Sequence, residues 1–441
     1  FRARSGPKTA LAVVLLTGTS YVAYFWTTVG LHSEIPYFTV SVGALLLVHV
    51  AETASSRPLR TLAVTAGVLL VAYLPLVRTI GIALAMGLAL WIALPRVASR
   101  REGGKTSVAR LKRWAPAVLL GVTVLGAWMT WTARNESRYG SAAYMSSYVQ
   151  QFMKGDPYQI DSPDLTVAQV PMRVVQMFAV RTRRATAMIL NVPDREFSWT
   201  NPIALPLLLG MLAVTGVGFL RSFLNDGTLV DCYVLAYGTL LLGWPFDEGW
   251  RFLFPIQPFL LLYAIHGLNA MGGWFARVSR WRASTSDLFI TAGKAVLLTG
   301  IVATGMYQSA RLAAHHLTGR PTIATQAGIL HVAAWIEQNT AADVVIMSDQ
   351  PAILHRLTRR RVYPFPLFTD AGRMEEVITA SGGELVVVME EEPHEYFEPS
   401  TQRRFEAVRA RVPEMFEEVH EFDQGRIFRV RRRVPPPDQS D

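Results

Sequence analysis

Apolar runs of about 20 residues, the length needed to cross roughly 30 Å of hydrocarbon, recur along the first three-quarters of the chain. They fall near 9–27, 36–52, 61–77, 79–95, 115–132, 202–220, 229–246, 252–271 and 288–307, which predicts about nine membrane-spanning helices. Several are short or carry Gly and Pro, which neighbouring helices accommodate in a bilayer. After about 308 the pattern changes. A helical spacing near 325–339, with Ile329, Val332, Ala333, Trp335 and Ile336 apolar, leads into a strand over 343–347. A short helix, a strand around 361–363, a helix near 371–380, the apolar run 385–389, a helix near 398–412 and strands near 416–422 and 426–431 follow. Helices alternating with buried-type strands predict a small layered domain. The expected fold class is therefore a polytopic α-helical membrane protein (residues 1–308, with a large loop near 133–201) carrying a C-terminal soluble α/β domain (309–432) and a disordered tail (433–441).

Composition agrees with this pattern. The 441 residues are 51% hydrophobic and only 17% charged, whereas soluble domains are about a quarter charged. The net charge of +9 would suggest nucleic acid in a soluble protein. Here topology explains it better, because the basic residues sort by loop. One set of alternate connections holds Arg2, Arg4 and Lys8, then Arg57 and Arg60, then the run from Arg96 to Arg113, then Arg221, Arg277, Arg280 and Arg282. The opposite short loops hold only Arg78 and Arg251. Positive loops resist translocation, so the first set is expected in the cytoplasm. Glu34, Arg78, Asp247, Glu248, Arg251, the 133–201 loop and the C-terminal domain then face outward. No nucleic-acid partner is expected. The lone Cys232 forms no internal disulfide, and no Cys/His spacing suggests zinc. The chain begins at Phe1 directly before an apolar run, which reads as a cytoplasmic loop cut open with earlier spans missing.

Four places carry candidate chemistry. Glu34 sits at a bilayer lip between two apolar runs, with Trp26, Tyr37 and Phe38 as an aromatic belt. It could serve as general base to an acceptor hydroxyl, or simply favour the positive end of a helix that Ser33 caps. Arg78 interrupts an apolar turn, where a charge costs up to about 2.5–3.5 kcal/mol at membrane depth. It calls for a phosphate, a carboxylate such as Glu34, or snorkelling to the interface. In Asp247-Glu248-Gly249-Trp250-Arg251, Arg251 could bind a phosphate through its guanidinium fork or pair with Asp247. Arg134 and Asn135, at the end of another run, pose the same choice. An amphipathic segment near 165–190, with Arg173, Arg181, Arg183 and Arg184, could lie flat in the headgroups or pack on the spans. There is no GxxxxGK[ST] loop, no GxGxxG after a strand, no HExxH and no GxSxG.

Taken in order, these motifs resemble the GT-C superfamily of membrane glycosyltransferases that use polyprenyl-phosphate sugars, with relatives among protein O-mannosyltransferases, aminoarabinose transferases and rhizobial core transferases. Leu31-His32-Ser33-Glu34-Ile35-Pro36-Tyr37 is similar to the family's lip segment, and Val77-Arg78-Thr79-Ile80-Gly81 to its Arg-x-x-Gly turn. Trp131-Thr132-Ala133-Arg134-Asn135 is similar to the opening of its large loop, and Arg251-Phe252-Leu253-Phe254-Pro255-Ile256-Gln257-Pro258 to its Arg-Tyr-x-x-Pro-x-x-Pro span. Ala334 to Thr340, followed by Asp343, is similar to its outer domain. The resemblance implies a lipid-linked sugar donor as substrate, with membrane lipid and a glycan, lipid or protein acceptor as partners. A divalent metal is possible and no cofactor is certain. Glu34 is implied near the acceptor, with Arg78 and Arg251 near the donor phosphate. The family's leading catalytic acid belongs to a first outer loop that nothing before 9–27 supplies. The implied setting is a bacterial inner membrane, with the C-terminal domain extracytoplasmic. A transporter or lipid flippase, and a membrane scaffold presenting the α/β domain, are the alternatives.

Overall fold

The computed structural model describes residues 2–18, 20, 33–94, 105–135, 148–155, 162–192, 204–244, 249–278, 283–318, 324–365, 370–389, 401–422 and 425–431. The chain divides into two compact units, one of residues 1–131 and 170–314, the other of residues 132–169 and 315–441.

The first unit is helical. Its elements are α1 (Arg2–Gly18), α2 (Glu34–Thr53), α3 (Arg57–Val77), a 3-10 turn (Thr79–Gly81), α4 (Ile82–Ala93) and most of α5 (Lys105–Asn135). After the short α6 (Tyr148–Met153) of the second unit come α7 (Val170–Leu190), α8 (Ala204–Asn225), α9 (Leu229–Gly243), two 3-10 turns (Gly249–Phe252 and Phe254–Ile256), α10 (Gln257–Val278) and α11 (Ala283–Leu317). Each predicted apolar run falls wholly or partly on one of these helices. Among the described residues four helical stretches are long and apolar enough to cross a membrane: Glu34–Thr53, Arg57–Val77, Val108–Arg134 and Ala204–Asn225. The expected number was about nine. Gly6–Gly18, Thr79–Ala93 and Leu229–Gly243 are apolar but shorter. At 1.5 Å per residue a 15-residue helix spans only about 22 Å, and the 229–246 run outlasts its helix, which stops at Gly243.

Packing in this unit depends on close backbone approach. α2 lies against α3, α4 against α9, and α8 against α10. A Cβ on Gly218 would stand 1.8 Å from the Tyr263 carbonyl oxygen, and one on Gly267 the same 1.8 Å from that of Val214. Only glycine permits α8 and α10 to touch in this way, the means by which apolar helices associate without a hydrophobic driving force. α7 packs on α8, α9 and α10. It is amphipathic in the inverse sense: Arg173, Arg181 and Arg183 are buried, whereas Met172, Val175 and Phe178 are exposed. Of the two expectations for the 165–190 segment, packing on the helices is the one observed.

The second unit holds a five-stranded sheet. Along the chain run α12 (Ala324–Asn339), β1 (Val345–Ser348), α13 (Pro351–Thr358), β2 (Arg361–Pro364), α14 (Ala371–Ala380), β3 (Leu385–Met389), α15 (Thr401–Arg411), β4 (Phe416–Phe422) and β5 (Gly425–Val430). The strand order is β2-β1-β3-β5-β4, with β1 parallel to β2 and β3, and β5 antiparallel to β3 and β4. β3, Leu-Val-Val-Val-Met, is buried throughout, as a strand covered on both faces must be. Val386 and Val388 point into a core with Met374, Ile378 and Phe405. Leu385 and Val387 point the other way, toward Ile329, Val332 and Ile336 of α12.

Candidate functional site

Glu34 is the first residue of α2, and Ser33 before it makes no side-chain cap hydrogen bond. The carboxylate turns elsewhere. Its Oε1 accepts from Arg78 Nη1 and from Arg251 Nε at 2.6 Å. Arg78 follows the last turn of α3, its backbone N–H bonded to the Leu74 carbonyl, and Arg251 lies in the 3-10 turn that leads toward α10. Glu34 is wholly buried, while the Arg78 and Arg251 side chains keep 12% and 28% exposure. The second oxygen, Oε2, is buried without a hydrogen-bond partner among the described residues. Three residues spread over 217 positions thus meet at one carboxylate oxygen.

The ring of Phe252 extends this centre. The guanidinium carbons of Arg78, Arg181 and Arg251 lie 5.0, 5.5 and 5.7 Å from its centroid, within reach of cation–π attraction. The Arg184 Nη1 atom stands beside Gly249, 3.1 Å from where a Cβ would sit, and Gly249 adopts φ +70°. The turn is tied down from below. Tyr237 of α9 donates to the Phe252 carbonyl at 2.7 Å and stacks with Tyr37, one turn along α2 from Glu34, at 6.2 Å between centroids. The hydroxyls of Tyr37 and Tyr233 are 3.1 Å apart. Buried tyrosines therefore connect the helix that bears the carboxylate to the turn that bears Arg251.

Arg181 has a second neighbourhood. A cavity of about 310 Å³ lies among α7, α8, α9 and α10, lined by Arg181 and otherwise mainly by apolar side chains such as Phe178, Ile189, Phe219, Leu241 and Leu260. Such a space suits an aliphatic chain, with its polar end toward the guanidinium. The same helices hold another buried acid, Asp231. Its Oδ1 accepts from the Ser222 and Tyr263 hydroxyls, both at 2.7 Å, and its Oδ2 from the Thr228 N–H at 2.8 Å and hydroxyl at 2.7 Å. This is the third residue of a capping box at the start of α9.

Of the predicted site residues, Glu34, Arg78 and Arg251 come together. Arg134, which is exposed, and Asn135 end α5 and belong to the second unit. Asp247, Glu248 and the lip residues before Ser33 lie outside the described residues, as do 136–147 of the large loop. Sequence reasoning noted Arg181 only as part of an amphipathic segment; the cluster Arg181-Thr182-Arg183-Arg184 between apolar stretches was the available signal. Asp231 went unremarked, although Thr228-x-x-Asp231 is legible as a capping box. Among the described residues no group of three or more His, Cys, Asp or Glu is placed to hold a metal ion. Neither a family model nor a curated protein matches the chain.

Proposed function

We propose that this chain is an integral membrane glycosyltransferase that moves a sugar from a polyprenyl-phosphate donor to an acceptor at the extracytoplasmic face of a bacterial inner membrane. The observation that carries the proposal is the meeting of Arg78, Arg181 and Arg251 around Phe252, beside the buried carboxylate of Glu34. Guanidinium groups bind phosphate through in-plane N–H pairs, and the apolar cavity beneath Arg181 suits the chain of a lipid carrier. The proposal includes about nine spans and a C-terminal sheet domain on the outer side, as the loop charges imply.

In this mechanism the acceptor oxygen attacks the anomeric carbon while the bond from that carbon to the donor phosphate breaks. The electron pair leaves with the polyprenyl phosphate, whose growing charge Arg78 and Arg251 stabilise. The acceptor proton passes to a carboxylate. Glu34 Oε2, the oxygen the two arginines leave unused, is the atom assigned to receive it. The configuration at the sugar inverts. The test is transfer from a lipid-linked sugar by the protein in membranes, with Glu34→Ala and Arg251→Ala compared at equal abundance. Full transfer by both variants removes this site from the reaction. A flippase would instead deliver lipid-linked sugar across vesicles with no glycosylated product.

A further inference from the structure

At the other end of α2 from Glu34, about 27 Å along its axis, four helix ends meet: the C-termini of α2 and α4 and the N-termini of α3 and α5. Glu52 ties them together. Its Oε1 accepts from Arg113 Nη1 at 2.6 Å and from the Trp114 indole N–H at 2.9 Å, and Arg110 Nε stands 3.8 Å from its Oε2. The Arg110 guanidinium also lies 4.5 Å over the ring of Trp91, near the end of α4. Arg60 of α3 donates to the Ala54 carbonyl at 2.7 Å, closing the turn that follows Glu52. Trp114 presses α5 against α3, where a Cβ on Gly67 would stand 3.1 Å from its ring.

Charge here is far from balanced. Arg57, Arg60, Arg110, Lys112 and Arg113 gather at the starts of α3 and α5, and Glu52 is the sole acid described between residues 35 and 131. One carboxylate does not exhaust these donors. Both terminal nitrogens of Arg110, and Nε and Nη2 of Arg113, make no hydrogen bond among the described residues. The two side chains keep 19% and 25% exposure, so the unused nitrogens are open to a ligand. Loop charges that only orient a chain in the bilayer need no fixed geometry, whereas these guanidinium groups are held by an acid and an indole ring.

The surface beside them is apolar. Val108 and Leu111 of α5, and Leu59 and Leu62 of α3, are exposed. Val108 and Lys112 share a helix face at i and i+4. Three of the stretches long enough to cross a membrane begin or end here, at Thr53, Arg57 and Val108. A soluble anion would use the cations and leave the leucines in water. A phosphodiester that carries acyl chains uses both, and basic pockets between spanning helices bind such head groups.

We infer that this end of the helical unit is a binding site for an acidic phospholipid, its phosphate held by Arg110 and Arg113 and its chains lying on the apolar side chains next to them. The inference rests on the membrane setting of the chain and not on the transferase reading, whose residues lie at the opposite end of α2.

The test is native mass spectrometry of the full chain in detergent, offered dioleoyl phosphatidylglycerol and dioleoyl phosphatidylcholine in equal amounts, with glycerol 3-phosphate as a separate competitor. Phosphatidylglycerol should be retained about tenfold in preference, and an equal concentration of glycerol 3-phosphate should leave it bound. Arg110→Gln should weaken phosphatidylglycerol about fivefold, the share of one basic residue at an anionic surface, with phosphatidylcholine unchanged. Lys112→Gln, at an exposed position that tolerates the change, should weaken it about twofold or more, a second reading should Arg110→Gln loosen α5. Equal retention of the two lipids overturns the inference, as does a preference undiminished in both variants. Displacement of phosphatidylglycerol by glycerol 3-phosphate at equal concentration would assign the cations to a soluble phosphate and overturn it too.

Discussion

Among the described residues two carboxylates are wholly buried in the helical unit, and their surroundings differ in kind. Asp231 is held by neutral donors: two hydroxyls from α8 and α10, and the N–H and hydroxyl of the residue that caps its own helix. Glu34 is held by cations from two distant turns, both on one oxygen, while the other oxygen accepts nothing among the described residues. Neutral hydrogen bonds satisfy a buried acid and fasten helices together. A carboxylate that gathers guanidinium groups instead arranges charges that a ligand can use. Burial of an acid in a membrane protein marks a site by default, and the donor set decides which acid deserves that default.

The largest effect expected concerns Asp231. Asp231→Ala removes the acceptor of the Ser222 and Tyr263 hydroxyls and of the Thr228 N–H, a cost of about 3 kcal/mol at roughly 1 kcal/mol for each hydrogen bond lost. Thermal unfolding in detergent should show it, with Asp231→Asn in between; an unchanged midpoint would erase the contrast between the acids. Next comes Arg251→Lys, which retains the charge and loses the fork. Affinity for undecaprenyl phosphate, measured by calorimetry in nanodiscs, should fall about tenfold to a hundredfold, the worth of a charged hydrogen bond, with little change in unfolding.

Glu34→Gln should act in the opposite sense on binding. It removes the charge that competes with a phosphate, so the same lipid should bind about tenfold tighter, a fraction of the ~4 kcal/mol between unit charges 4 Å apart near a protein surface. Sugar transfer should fall in the same variant. Weaker lipid binding would recast Glu34 as a strut only. The smallest effect belongs to Phe252→Leu, which withdraws the aromatic face from three guanidinium groups. A loss of about 0.5–1 kcal/mol in phosphate-lipid binding is expected, and no loss would reduce the ring to filler.

The sequence made some of this legible and hid the rest for physical reasons. Apolar period and length located the helices, because burial in lipid and burial in protein demand the same residues. That equivalence also blurred the spans: the run at 229–246 does not disclose that its helix begins at a capping box and ends at Gly243. Glu34, Arg78 and Arg251 stood out as charges at the ends of apolar runs, and they converge. Ser33 had every local feature of a cap and makes no such bond, because tertiary pairing claimed the turn. β3 was plain as an unbroken apolar run. The bulge in β4 was not, since it exists only in the register with β5.

α7 carries one more consequence. It turns arginines inward and presents Met172, Val175 and Phe178 to its surroundings. Before α8, α9 and α10 exist, those arginines have no inner surface to face, and isolated guanidinium groups are expelled from hydrocarbon. Synthesis delivers α7 ahead of all three. This helix therefore completes its packing only once α8, α9 and α10 have been made.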